Sequence, residues 1–269
     1  MVDYHVHPYY SLDGHGTIRD YCLKAKEIGI KGIGFTPHLE LDPQRREIDD
    51  KVRLGDRIVS MRSDWIDVYL KDIEEARREF PELIIKAGLE VGYTEESEEE
   101  IARILSNYRL DYILGAIHCL DHISITSKNE YMDYFKNASV KRYCADYFYL
   151  LEKAIRSGLF EIIAHFDVYK KFGLSYYGKE LLLTAEPYIK PILELMREKG
   201  IGLEINTAGL RREIRDIYPG EELLRKAKGI GVRVISIGSD AHEVEHLGVG
   251  IEKGLEIAER VGIEIEWKG

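Results

Sequence analysis

Histidine positions carry the first chemical signal. Six of the nine histidines, with one glutamate and one aspartate, fall at the ends of short apolar runs: His5-x-His7, His38, Glu90, His118, His165 and Asp240-x-His242. Side chains two apart on an extended strand point the same way, so His5 and His7 project together, as do Asp240 and His242. Imidazole mixed with carboxylate suits zinc, iron or manganese. His15 lies in the Gly-flanked loop Asp13-Gly14-His15-Gly16, where a ligand can bend inward. A lone histidine reads more simply as a hydrogen-bonded polar residue near the surface, but six at one kind of position favour a metal centre. His122, in a polar loop, and His246, at a helix start, take the simpler reading. Cys119 follows His118 on the same strand and so faces the opposite side, into the core.

The same runs define the elements that must position these residues. They cover 2–7, 32–38, 83–92, 112–118, 161–167, 202–207 and 234–242, each rich in Ile, Val or Leu as buried parallel strands are. Helical segments separate them. Thr17 precedes an apolar stripe (Ile18, Tyr21, Cys22, Ala25, Ile28) that stops at Gly29. Ser97 with Glu100 reads as a capping box, and Pro219 as the first turn of a helix running to Gly229. Seven strand–helix alternations predict an α/β fold closed into a distorted TIM-like barrel, whose active sites lie at the carboxyl ends of the strands. The first and last strands then become neighbours, which brings His5 and His7 to Asp240 and His242. Asn206 ends the sixth strand on the same rim. An open doubly wound sheet is the alternative and needs a reversal of strand order.

Composition narrows the function classes. Lys and Arg total 38 against 48 Asp and Glu, a net charge of −10, which opposes non-specific binding to nucleic acid or anionic membranes. No stretch approaches the ~18 apolar residues of a membrane span. The first residues show neither the basic nor the apolar region of an export signal. Three scattered cysteines (Cys22, Cys119, Cys144) argue against a disulfide scaffold and for a reducing cytoplasm. One glutamine and four asparagines, with 32% charged residues, match proteins from hot environments, a biased genome being the alternative.

The pattern His5-x-His7, Gly14-His15, Thr36-Pro37-His38, Gly88-Leu89-Glu90, Ile117-His118, Ala164-His165-Phe166-Asp167 and Gly238-Ser239-Asp240-Ala241-His242 resembles the PHP (polymerase and histidinol phosphatase) superfamily. The likeness runs from residue 3 to about residue 250. Within the superfamily the chain is most similar to monofunctional histidinol-phosphate phosphatases, through its length and the stretch from Glu204 to Arg211. The resemblance implies one domain over 1–269, a distorted (β/α)7 barrel, and up to three divalent ions (zinc, manganese or iron). It implies one ion on His5, His7, Glu90 and Asp240, a second on Glu90, His118 and His165, and a third on His15, His38 and His242. The implied reaction is hydrolysis of L-histidinol phosphate in histidine biosynthesis. A metal-bridging hydroxide on Glu90-linked ions attacks phosphorus, and Asp240 or His242 protonates the leaving alkoxide.

Two cationic stretches on the rim fit a small phosphate monoester. These are Lys170-Lys171 after the fifth strand and Arg211-Arg212 after the sixth, with Arg211 and Lys171 preferred; a solvated basic loop is the alternative. Loss of Arg211 is expected to impair phosphate binding and leave the metals in place. The Tyr-rich segment 129–149 is expected to form a lid, with Glu130 and Asp133 toward a cationic substrate. Three rivals are another PHP phosphoesterase (acting on nucleotides, phosphotyrosine or single-stranded nucleic acid), a non-catalytic PHP module and an amidohydrolase. Substrate panels, metal analysis and the absence of a strand-terminal lysine discriminate them.

Overall fold

The computed structural model describes residues 1–267. Seven parallel strands pair in chain order: β1 (Val2–Val6), β2 (Gly32–Phe35), β3 (Ile84–Gly92), β4 (Tyr112–Ala116), β5 (Ile162–Ile163), β6 (Gly202–Asn206) and β7 (Val234–Gly238). There is no reversal of strand order, so the open-sheet alternative falls. Val6 forms a parallel bridge to Ala241, and His7 N donates to Ala241 O at 2.8 Å. β1 therefore meets the end of the last strand and nearly closes the barrel.

The second run is one register broken in two. Phe35 lies opposite Ala87 and, beyond Thr36-Pro37, a short strand (His38–Glu40) resumes with His38 opposite Glu90. Proline has no N–H for the ladder, and Pro37 contributes only its carbonyl, which accepts from Glu90 N at 3.2 Å. Other strands end earlier than the apolar runs predict. β4, β5 and β7 stop at Ala116, Ile163 and Gly238, and the chain then turns sharply. His165 and Asp240 adopt φ of +31° and +55°, the sparsely used left-handed region. The two-residue alternation expected for Asp240 and His242 does not operate there, because both lie on the turn beyond the strand.

Amphipathic helices cover the sheet. Ile18–Glu27 opens on a Thr17/Asp20 capping box and buries Ile18, Tyr21, Cys22 and Ala25 of the predicted stripe, while Ile28, the fifth member, is the partly buried C-cap. The predicted Ser97/Glu100 box does not form. Thr94 and Ser97 make the box instead, around a 3₁₀ turn, while Glu100 is drawn to Arg62. Pro219 stands just before the N-cap, Gly220, of Glu221–Ile230 and not inside its first turn. Segment 129–149 is not a lid. Most of it belongs to the helices Tyr131–Phe135 and Val140–Ser157, and Tyr134, Tyr143 and Tyr147 are core residues. Tyr143 and Tyr147 donate to the carbonyls of Tyr169 (2.9 Å) and Phe166 (2.8 Å), which satisfies their hydroxyls inside the core. The three cysteines are buried and unpaired. Among the described residues no helix is long and apolar enough to cross a membrane.

Candidate active site at the carboxyl rim

Glu90, on β3, is buried at the centre of five imidazoles. Its Oε1 lies 2.6 Å from His165 Nε2, 3.3 Å from His118 Nε2 and 3.5 Å from His5 Nε2. Its Oε2 lies 3.0 Å from His38 Nδ1 and 3.4 Å from His7 Nε2. Asp240 Oδ1 approaches His7 Nε2 at 3.5 Å, His5 Nε2 at 3.9 Å and His242 Nδ1 at 3.3 Å. Six of the seven strand ends thus supply donors to one place. The donor atoms form overlapping trios, each within 4.8 Å: His5/His7/Glu90, Glu90/His118/His165, His7/His38/His242 and His38/Glu40/His118.

Several carboxylates that the sequence reading passed over hold these rings. Glu204 Oε1 takes His5 Nδ1 at 2.6 Å, and Glu40 Oε1 takes His118 Nδ1 at 2.6 Å. Each bond leaves Nε2 of its ring facing Glu90, the arrangement by which a carboxylate orients a metal-ligating histidine. Asn206 Nδ2 donates to Glu204 Oε2 (3.2 Å) and to Asp240 Oδ2 (3.3 Å). A signal for Glu204 and Glu40 existed. Each lies two residues from a rim residue, Asn206 or His38, and Glu204 is a charge inside an otherwise apolar run.

His15 is the departure from the expected ligand set. It is exposed, and its Nε2 faces Glu243 Oε1 at 3.6 Å. Asp13 faces His38 and His242 instead, with its oxygens 3.8 Å and 3.4 Å from their Nε2 atoms. The loop is drawn tight, since a Cβ at Gly14 would sit 2.6 Å from Pro8 O and 2.7 Å from His7 O. His15 N is bonded to His242 O at 2.7 Å, so backbone rather than side chain ties this residue to the rim.

The electrostatics call for cations. Burial pushes the Glu90 and Asp240 carboxyls up, but the surrounding imidazoles, His5 foremost, hold both well below the usual range. Burial opposes charge on His5 and His118, yet Glu204 and Glu90 raise the first, and Glu90 and Glu40 the second, well above the ordinary imidazole value. Against the same opposition Asp13 and Glu90 raise His38 to about 9. His7 goes the other way, lowered by burial and by His242 and His38. Two nitrogens, His38 Nδ1 and His165 Nδ1, are buried without a hydrogen-bond partner. His38 Nδ1 is close to Glu90 but not aligned with it, so the donors converge on shared centres more than on one another. This all-nitrogen-and-oxygen set fits divalent zinc, manganese or iron.

The cluster opens into a cavity of about 780 Å³, lined also by Lys171, Arg211, Arg212, Tyr218 and Glu130. Lys171 forms no ion pair among the described residues; burial and Arg212 lower its ammonium to about 8. Lys170 is elsewhere, its Nζ bound to Asp167 Oδ2 at 2.5 Å. Arg211 lines the cavity, but its guanidinium donates to the carbonyls of Ser239, Asp240 (3.1 Å) and Val249 (3.3 Å). It ties down the turn that carries Asp240. Arg212 is exposed at the cavity wall. Glu130 also reaches the wall, paired with Arg45 at 2.7 Å, whereas Asp133 is exposed outside it.

Comparison with known proteins agrees with this architecture. The chain is 31% identical to a probable histidinol-phosphatase of Deinococcus radiodurans, over 92% of this chain and 88% of the relative. It is 28% identical to the histidinol-phosphatase of Bacillus subtilis, over 94% and 98%. Its fold resembles the histidinol phosphate phosphatase of Lactococcus lactis, whose crystal structure holds zinc, L-histidinol and phosphate. That match has a TM-score of 0.78 at 19% identity and covers 98% of this chain and 94% of the other. The sequence profile of the PHP domain matches residues 3–208. A histidine-rich rim on a seven-stranded barrel and a profile spanning most of the sequence lead to one conclusion: the chain belongs to the PHP domain family.

Proposed function

We propose that this protein is a metal-dependent phosphomonoesterase that hydrolyses L-histidinol phosphate to L-histidinol and phosphate. The observation that carries the reading is the Glu90-centred donor cluster at the floor of a cation-lined cavity, in a chain that aligns along nearly its whole length with histidinol-phosphatases. His5, His7, Glu90 and Asp240 would hold one ion and Glu90, His118 and His165 a second. His38 and His242 would hold a third, with His7, Asp13 or His15 completing the set. Zinc, manganese and iron all suit these donors. Bound there, divalent ions supply positive charge for phosphoryl oxygens and make water acidic enough to ionise near neutral pH.

The chain's own groups do the rest. Glu90, whose two oxygens face different imidazoles, would serve both deeper sites. Glu204 and Glu40 fix the tautomers of His5 and His118. Lys171 and Arg212 present cations to the phosphoryl group as its charge redistributes, and Arg211 holds Asp240 in its turn. His242, whose Nδ1 lies 3.3 Å from Asp240 Oδ1 at the cavity edge, would pass a proton to the leaving alkoxide, while Asp240 stays a carboxylate beside it. Phosphate release by the metal-loaded protein from L-histidinol phosphate, phosphotyrosine, nucleotides and an oligonucleotide end tests the reading. Histidinol phosphate should have the highest kcat/KM. Equal or faster turnover of phosphotyrosine or of the oligonucleotide would move the protein to another class of PHP phosphoesterase.

A further inference from the structure

The loop between β1 and the helix Ile18–Glu27 folds into a cup of carbonyls, and one arginine fills it. Arg53 Nη1 donates to the carbonyls of Tyr9 (2.6 Å), Gly14 (3.0 Å) and Ser11 (3.3 Å), and Nη2 donates to Leu12 O (2.9 Å). Its backbone N bonds Tyr10 O at 2.9 Å. Arg53 comes from a two-stranded hairpin, Val52–Leu54 with Arg57–Val59, which does not pair with the barrel sheet. Carbonyl dipoles turned toward one point repel one another unless a cation or donor lies between them. A guanidinium suits the place, with five N–H donors in a fixed fork, no acceptor and a permanent charge.

What this loop touches gives the clamp a consequence for chemistry. Ser11 Oγ lies 3.4 Å from His7 Nδ1 and accepts from His38 N at 3.1 Å. The Asp13 carboxylate faces the Nε2 atoms of His38 and His242, and His15 N holds His242 O. The loop therefore contacts every member of the His7/His38/His242 trio. Among the described residues, residues 8–17 of the loop make no hydrogen bond or ion pair to Glu90, His118 or His165; only His7 itself, at the loop's start, reaches Glu90, at 3.4 Å.

We propose that Arg53 is a positioning residue for the ion of the His7/His38/His242 trio, acting through the loop it clamps and not by touching ion or substrate. The inference rests on reading the trio as a metal site. A hairpin anchor alone would affect thermal stability and leave the sites equal. A positioning residue weakens one site and spares the other.

The test is zinc affinity, site by site, of the metal-stripped full chain in competition with a chromophoric chelator. His242→Ala and His165→Ala identify which ion belongs to which trio. Arg53→Ala should weaken the His7/His38/His242 ion by about 10–100-fold, the usual effect of losing a group that orients ligands. The Glu90/His118/His165 ion should keep its wild-type affinity. Guanidinium ion should restore the weakened site in Arg53→Ala and change nothing in the wild type. Arg53→Lys keeps the charge but only one donor centre, so it should fall between, and it carries the same comparison if Arg53→Ala does not fold. Unchanged affinity at the trio, or equal weakening of both sites, would overturn the inference while leaving the metal reading intact. A wild-type chain that takes up no zinc would overturn the metal reading and the inference with it.

Discussion

At the scale of single residues, the cations on the rim divide the work differently from what their types suggest. Arginine after the sixth strand invites a phosphate fork, yet the Arg211 guanidinium is bonded to the carbonyls of Ser239, Asp240 and Val249. Its loss should free the Asp240 turn. Arg211→Ala is expected to weaken the ion held through Asp240 by about 10–100-fold, read by chelator competition, and to lower kcat/KM with it. Full retention of metal at wild-type affinity would return Arg211 to direct phosphate binding. Lys171 is a cavity cation that forms no ion pair among the described residues. With its ammonium lowered to about 8 by burial and Arg212, it is charged below that pH and neutral above it. Its attraction for a phosphate dianion is present at pH 7 and fades as pH rises, so KM should climb between pH 7 and 9. Lys171→Met should raise KM at pH 7 and abolish that climb while leaving metal content unchanged. A wild-type KM that is flat over this range would exclude the role.

At the scale of elements, the rim depends on β1 and β7 lying close, and Gly238 permits it. A Cβ there would meet His5 Cβ at 2.3 Å and His5 N at 2.8 Å, so the obstruction is partly backbone and cannot be relieved by a rotamer change. Gly238→Ala should force the two strands apart at the cost of about 1–3 kcal/mol, the range for overpacking a close-packed interior. Chemical denaturation would measure it, and the displacement of His5 should appear as lost metal affinity. A variant as stable as the wild type would mean that the strands move apart freely. The strands themselves were legible as short apolar runs, but their ends were not. Hydrophobicity continues through Ile117 and Phe166, because those residues are buried by the barrel, while the backbone has already left the sheet. The tyrosines of 129–149 misled for a related reason. Aromatic content alone does not tell a lid from a helix face, and the stripe Val140, Tyr143, Cys144, Tyr147, Phe148, Leu151 is a helix face.

At the scale of the whole molecule, residues from both ends of the chain converge on one charged, buried cluster. Folding without metal brings Glu90 and Asp240 together with imidazoles that take up protons in compensation. Divalent ions replace those protons, and because the unfolded chain offers no preformed site, their binding adds to folding stability. At zinc one hundred-fold above its Kd the gain is about 2.7 kcal/mol for each ion, so each bound ion should raise the melting temperature by roughly 5–10 °C over the stripped protein. Proton release on zinc uptake at pH 7 should accompany the shift. Identical melting curves with and without zinc would mean that the cluster is stabilised fully by its own hydrogen bonds.

The sequence by itself determined the seven-unit alternation, the rim position of the histidines and the pairing of His5 with His7, because strand periodicity and strand-end placement are local properties that residue order encodes. Tertiary structure alone decided which partners complete the site. Asp13 rather than His15 faces His38 and His242, since a tight loop held by Arg53 turns one inward and the other out. Glu204 and Glu40 reach His5 and His118 across 199 and 78 residues of chain. Arg211 and Lys170 are bound to carbonyls and to Asp167 before any substrate arrives. These are matters of which group lies nearest in space, and proximity between segments far apart in the chain is set by barrel closure and loop packing, not by spacing along the chain.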